Sequence, residues 1–268
     1  MSYAKRRRKD DLTIPENTSK NTHNVAARLL LECTGCRPVE GRAPSGGNSG
    51  RPSRILDIPC GAGALTERLS LQGIEVWPAD IRNILQAESE RFIAADMNEK
   101  LPFDNNFFDA VACIDGIEHI ERPFDFVGEC RRVLKTGGRL VLSTPNISSL
   151  RSRARWFLTG HHNKCKTPLD EINPGPLHHI SMISFPELRY MLHSRGFRIT
   201  RVAANRIKPA ALVYAPLAPF AWMATAISYE RNEKDPAKKK RNREILCGAC
   251  SRAVLFGETL IIAAEKTG

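Results

Sequence analysis

Short apolar runs and amphipathic stretches alternate along most of the chain. Arg54–Ile58 has the pattern of a buried strand, followed by a glycine turn and an amphipathic stretch from about Ala64 to Gln72. Further strand patterns occupy Ile74–Ala79, Phe92–Ala95, Phe107–Ile114, Arg139–Thr144, Phe197–Ala203 and Leu255–Ala264. Apolar residues at helical spacing cover Asn24–Cys33, Phe124–Lys135 and residues 186–195, and Gly137-Gly138 reads as the stop of the second of these. Alternation of this kind, with crossovers of these lengths, predicts a parallel sheet covered by helices.

Three stretches break the rhythm. Residues 41–52 are rich in Gly, Pro and Ser and read as a linker; residues 147–180 are basic, then rich in Pro and His; residues 206–252 separate the last two strands. The expected division is therefore 1–52 (basic tail, helix and linker), 53–205 (core), 206–252 (insertion) and 253–268 (last strand). The insertion opens with Pro209–Tyr229, which carries no charge, and continues with basic Lys238–Arg243. A single bilayer crossing would strand the last strand on the wrong side. The span is expected to lie on the core or on a membrane interface, with Trp222 and Tyr229 at the boundary.

The net charge of +11 is concentrated in the first ten residues, in 151–166 and in 230–244, and the rest is nearly neutral. Such a basic fringe fits an anionic partner, either a membrane surface or RNA. With no apolar run at the N-terminus and cysteines inside core-like runs, the chain reads as cytoplasmic, with a peripheral membrane contact through 209–229. The pairs Cys33/Cys36 and Cys247/Cys250 have zinc-ligand spacing but lack knuckle-like flanks, so buried or incidental thiols are the preferred reading.

The chemistry concentrates at Asp57-Ile58-Pro59-Cys60-Gly61-Ala62-Gly63. A strand, a glycine turn and a helix let a ligand approach the backbone. A dinucleotide site needs a third glycine for its pyrophosphate, and Thr66 stands there instead. The acid precedes the glycines, which suits an ammonium group and disfavours NAD.

This arrangement resembles the class I S-adenosylmethionine-dependent methyltransferases, type 11 branch, which includes quinone-biosynthesis O-methyltransferases. The likeness runs from Ile55 to about Phe197 and includes Asp80, Asp96-Met97, Asp109–Ile114, Glu118-His119, Arg132–Gly138 and Ser143–Asn146. Pro59 and Thr136 depart from the usual residues. The resemblance implies an α/β fold with a Rossmann-like, seven-stranded, mostly parallel sheet, helices on both faces and the apolar insertion between the last two strands. It also implies S-adenosylmethionine bound by Asp57, Gly61, Ala62, Gly63, Asp80, Ile81, Asp96, Met97 and Ile114. Asp80 would take the ribose hydroxyls, Asp96 the adenine amine and Met97 the adenine ring.

The implied activity is O-methylation of a small or lipid-like acceptor, with His119 as base beside Glu118. Asp115, Glu118 and His119 also resemble a metal triad of some relatives, with His161, His162, His178 or His179 as a further ligand. A divalent metal there is weighed but not adopted. The rival readings are an RNA methyltransferase and a non-catalytic, membrane-associated S-adenosylmethionine-binding scaffold.

Overall fold

The computed structural model describes residues 14–33, 53–87, 89–165, 168–231 and 233–268. The basic tail, the linker at 41–52 and Cys36 fall outside them.

Seven strands form one sheet: β1 (Arg54–Asp57), β2 (Glu75–Asp80), β3 (Ile93–Ala94), β4 (Phe108–Cys113), β5 (Leu134–Pro145), β6 (Phe197–Ala204) and β7 (Thr259–Lys266). Their order is β3-β2-β1-β4-β5-β7-β6. The first five are parallel, and β7 is antiparallel to both β5 and β6. The order reverses between β1 and β4, so their carboxyl ends border the crevice that such sheets offer to ligands.

The helices are α1 (Thr22–Cys33), α2 (Ala64–Ser70), α3 (Pro123–Val133), α4 (Leu150–Thr159), α5 (Phe185–Ser194), α6 (Pro209–Leu212), α7 (Ala218–Arg231), α8 (Pro236–Ala249) and α9 (Arg252–Phe256). Strand residues alternate between two apolar layers. Leu56, Val111, Leu140 and Ile262 face the layer containing Phe126 of α3 and Phe185 of α5. Their neighbours Ile55, Ala112, Val141 and Ile261 face Leu29 and Leu30 of α1 and Leu65 and Leu69 of α2. This period of two explains why these strands read as continuous apolar runs: both faces are covered.

Two boundaries differ from the sequence reading. α3 ends at Val133 and the chain enters β5 at once, because Leu134 is extended (φ −77°, ψ 140°). Gly137 and Gly138 therefore lie inside β5, where the pairing with β4 shifts register between Phe108 and Ala110. The apolar pair Leu255-Phe256 closes α9 instead of opening β7, with Ser251 capping that helix through Val254 N–H.

The insertion leaves the sheet after β6 and returns as β7, so both its ends belong to this sheet. Asn146, at the end of β5, fastens the return: its Nδ2 donates to the carbonyls of Ala253 (3.2 Å), Val254 (2.8 Å) and Gly257 (2.9 Å).

Phe108 is wholly buried, and its ring meets Trp77, Phe103 and Phe107 edge to face at 4.9–6.2 Å. Phe108→Ala is expected to lower stability by about 3–5 kcal/mol, from lost burial and the cavity left behind. Urea denaturation checks this, and a loss below about 1 kcal/mol would show that the cluster closes over the gap.

Candidate functional site

Beyond β1 the chain turns through Cys60–Gly63 after a cis Ile58–Pro59 bond. Gly61 and Gly63 both lie in the left-handed region (φ +51° and +92°), where a side chain is strained. A β-carbon on Gly61 would meet nothing within 4 Å, whereas one on Gly63 would lie 2.8 Å from Leu85 Cδ2. The first glycine therefore faces open space and the second faces protein.

The turn docks onto the end of β2. Cys60 N–H donates to Ala79 O and Gly61 N–H to Asp80 Oδ2, both at 2.9 Å. The other oxygen of Asp80 has no hydrogen-bond partner among the described residues. Ile81 follows, 57% exposed. Asp96 is exposed just past β3 and accepts from Asn98 N–H at 2.8 Å. Met97 and Ile114 are buried, Met97 within the core layer and Ile114 at the end of β4. Ala62 is half-buried. Two carboxylates, an exposed apolar side chain and an accessible backbone turn thus line the carboxyl ends of β1, β2 and β3. That set fits a ligand with hydroxyls, an amine and a flat apolar ring.

Asp57 is placed differently. It is 1% exposed, and its Oδ2 accepts from Thr66 Oγ1 at 2.6 Å. Burial pushes its carboxyl up to about 7 against the opposing hydrogen bonds from Thr66. Asp57 braces the first turn of α2 from beneath.

Across the crevice, the segment after β4 is pressed against the turn, since a β-carbon on Gly116 would lie 2.3 Å from Pro59 Cδ. Asp115, at φ +48°, accepts from Ser143 Oγ at 2.5 Å and returns its own N–H to that oxygen at 2.9 Å. A 3₁₀ turn, Ile117–His119, then presents Glu118 and His119. The connection from 168 to 184 folds back over them through Ser181, which donates to Glu118 O (2.9 Å) and Ile120 O (2.6 Å). His119 Nδ1 lies 3.1 Å from His178 O, and its ring meets the His179 ring edge to face at 4.8 Å.

Burial, reinforced by the charge of Asp115, pushes Glu118 up to about 8. Burial also holds both imidazoles below their usual value, so both are neutral at pH 7. Ligand atoms of Glu118, His119 and His179 all lie within 4.8 Å of one another. Glu118 Oε2 and His179 Nδ1 are buried without hydrogen-bond partners. One carboxylate and two imidazoles fit a divalent cation. The expected Asp115 is not in this group, because Ser143 engages it, and His179 stands in its place.

His161 and His162 lie elsewhere, His162 beside Ser152 Oγ (3.1 Å) and stacked on Trp156. Cys247 and Cys250 sit at the end of α8, while the Cys33 side chain and Cys36 fall outside the described residues. The sequence reading missed a cavity of about 140 Å³ bordered by Asn146, Arg151, Lys164, Lys208 and Glu258. Its lining comes from four separate stretches, and only the basic run 151–166 hinted at it.

Comparison with known proteins agrees with this geometry. The sequence model of a family described as a methyltransferase domain matches residues 56–142. A ubiquinone biosynthesis O-methyltransferase of Alkalilimnicola ehrlichii is 35% identical over 111 residues, 38% of this chain and 44% of that protein. One from Pseudomonas aeruginosa is 32% identical over 106 residues, 35% of this chain and 44% of that protein. The chain thus spans less than half the length of these curated relatives. The fold is that of a SAM-dependent methyltransferase from Archaeoglobus fulgidus, with a TM-score of 0.50 at 20% identity, covering 91% of this chain and 94% of that one. It is also that of the 1,6-didemethyltoxoflavin-N1-methyltransferase of Burkholderia thailandensis, with a TM-score of 0.50 at 15% identity, covering 93% and 80%.

The placement of Asp57 has a measurable consequence. Its folded-state value lies above that of an unfolded chain, so the fold retains the proton to higher pH. The resulting stability is complete below about pH 4 and is lost as pH rises through about 7. Asp57→Asn cannot titrate and should gain on wild type across that window. Urea midpoints of both proteins at several pH values check this, and a constant gap would contradict a protonated Asp57.

Proposed function

We propose that the protein, whose residues 56–142 match the sequence model of a methyltransferase domain, transfers a methyl group from S-adenosylmethionine to an oxygen of a small or lipid-like acceptor. The observation that carries the reading is the open face of Gly61 beside the half-free Asp80 carboxylate, with His119 in the 3₁₀ turn beyond β4. When bound, the sulfonium supplies an activated methyl group, so the protein's task is chiefly alignment. Gly61–Gly63 would admit the amino-acid end of the cofactor, Asp80 its ribose hydroxyls, and Asp96 its adenine amine.

His119 is the proposed base. With Nδ1–H donated to the His178 carbonyl, its Nε2 lone pair is left to take the acceptor's proton. Burial keeps the ring neutral and ready for that role. Glu118 is buried within 4.8 Å of the His119 and His179 ring nitrogens and completes the cluster.

The cluster supports a second reading in which Glu118, His119 and His179 hold a divalent cation. Such an ion would lower the pKa of the acceptor hydroxyl. Loss of transfer on chelation, restored by Mg²⁺ or Mn²⁺, would favour it over the metal-free base.

A lipid-like acceptor fits the insertion. Pro209–Arg231 is long and apolar enough to cross a bilayer, yet Val213, Phe220, Trp222, Met223 and Ile227 are each half or more exposed. Both ends of the insertion return to one sheet, which argues against a single crossing and supports a span that would rest along a membrane surface. Lys238, Lys240, Arg241 and Arg243 on α8 are exposed and would meet anionic headgroups.

Labelled S-adenosylmethionine incubated with lipid extract and total RNA in parallel tests the activity. Label is expected in the lipid fraction, and label in RNA would overturn the acceptor class. His119→Ala should slow transfer by about 10²–10⁴-fold while cofactor binding persists. An unchanged rate would remove His119 from the mechanism.

A further inference from the structure

The cavity overlooked in the sequence lies between the first turn of α4, Asn163-Lys164, the start of α6 and the approach to β7. Its cations outnumber its acids. Glu258 receives Lys208 Nζ at 2.6 Å, Arg206 Nε at 2.6 Å and Lys164 Nζ at 3.5 Å. Arg151 has no acidic partner among the described residues. Three cationic side chains, Arg151, Lys164 and Lys208, therefore share the cavity with one carboxylate that Arg206 also engages from outside it, and the surplus positive charge suits a doubly charged anion.

A second observation is independent of charge. Asn146 lines the cavity and is 5% exposed, and its Oδ1 is buried without a partner. The amide cannot be turned over to relieve this, because its Nδ2 already donates to three backbone carbonyls. An orphaned buried acceptor on a residue that lines the cavity is a place a hydroxyl of a ligand can fill.

Two neighbours complete the picture. Cys165, which follows Lys164, lies 3.9 Å through its Sγ from His179 O, and the charge of Lys164 bears on Glu118 and His179. Ala211 of α6 forms part of its wall, where the exposed apolar span begins.

We propose that this cavity holds the phosphate of a hydroxyl-bearing acceptor carried on an apolar tail, a glycosyl phosphate displayed at a lipid surface. Arg151, Lys164 and Lys208 engage the phosphate, Asn146 Oδ1 accepts from a sugar hydroxyl, and the apolar span lies along the lipid. The assignment of this ligand as the methyl acceptor rests on the methyltransferase reading; the binding itself does not.

Isothermal titration with glucose 1-phosphate, inorganic phosphate and glucose tests the pocket without any methyl transfer. Glucose 1-phosphate should bind at least about tenfold more tightly than either fragment, and Arg151→Gln and Lys208→Gln should each weaken it about fivefold or more. Both variants should bind S-adenosylmethionine as wild type does, which separates this site from the cofactor's. Equal affinity for phosphate and glucose 1-phosphate, or variants that bind like wild type, would overturn the proposal.

Flotation with vesicles of phosphatidylinositol 4-phosphate in phosphatidylcholine, which display a doubly charged phosphate monoester on a polyol ring, addresses the source. Flotation that excess glucose 1-phosphate suppresses, and that Arg151→Gln weakens, supports a lipid-borne phosphate. Flotation indifferent to both would overturn the lipid-borne source.

Discussion

The hydrogen bond from Gly61 N–H to Asp80 Oδ2 joins the ends of β1 and β2 beside the place where the sheet changes direction. It fixes one oxygen of Asp80 and leaves the other for a ligand. It also holds the left-handed Gly61 with its missing β-carbon towards open space. The turn is seated from below by Asp57 on Thr66 and from the side by Gly116 against Pro59. The close approach of Gly116 to Pro59 thus joins this turn to the segment that carries Glu118 and His119.

Around this joint the molecule divides into two electrostatic environments. Towards β2 and β3, Asp80 and Asp96 offer carboxylates to a cationic, hydroxylated ligand. Towards β5 and the insertion, Arg151, Lys164 and Lys208 surround a single acid, Glu258, whose carboxyl is held at about 2 because Lys208 and Arg206 outweigh the effect of burial. The His119 cluster lies between them, with neutral imidazoles and a Glu118 that is protonated at neutral pH.

Much of this was legible in the sequence because it is local. Arg54–Asp57 and Glu75–Asp80 announce themselves as apolar runs, since both faces of a covered parallel sheet are buried. The glycine turn, Asp80 and Asp96 sit at strand ends, where spacing alone locates them. What spacing does not encode is how distant segments meet. His179 joins Glu118 and His119 where Ser181 anchors the connection to the backbone of that turn, whereas the sequence offered Asp115 as a third member and His179 only as one of four histidines that could add a ligand. Asp57 was read as facing a ligand, but its Thr66 bond turns it inward. The cationic cavity draws on residues from 146 to 258, a convergence no motif records. At the β5 entrance, the extended conformation of Leu134 overrode the expectation that the glycine pair would end the helix.

The most direct test of the account is equilibrium binding of S-adenosylmethionine to wild type and to Asp80→Ala. The ribose-binding role proposed for this carboxylate predicts a loss of about 10–100-fold in affinity, with Asp96→Ala also weakened. Equal affinity in all three proteins would place the cofactor elsewhere and contradict the role given to the Gly61–Asp80 joint.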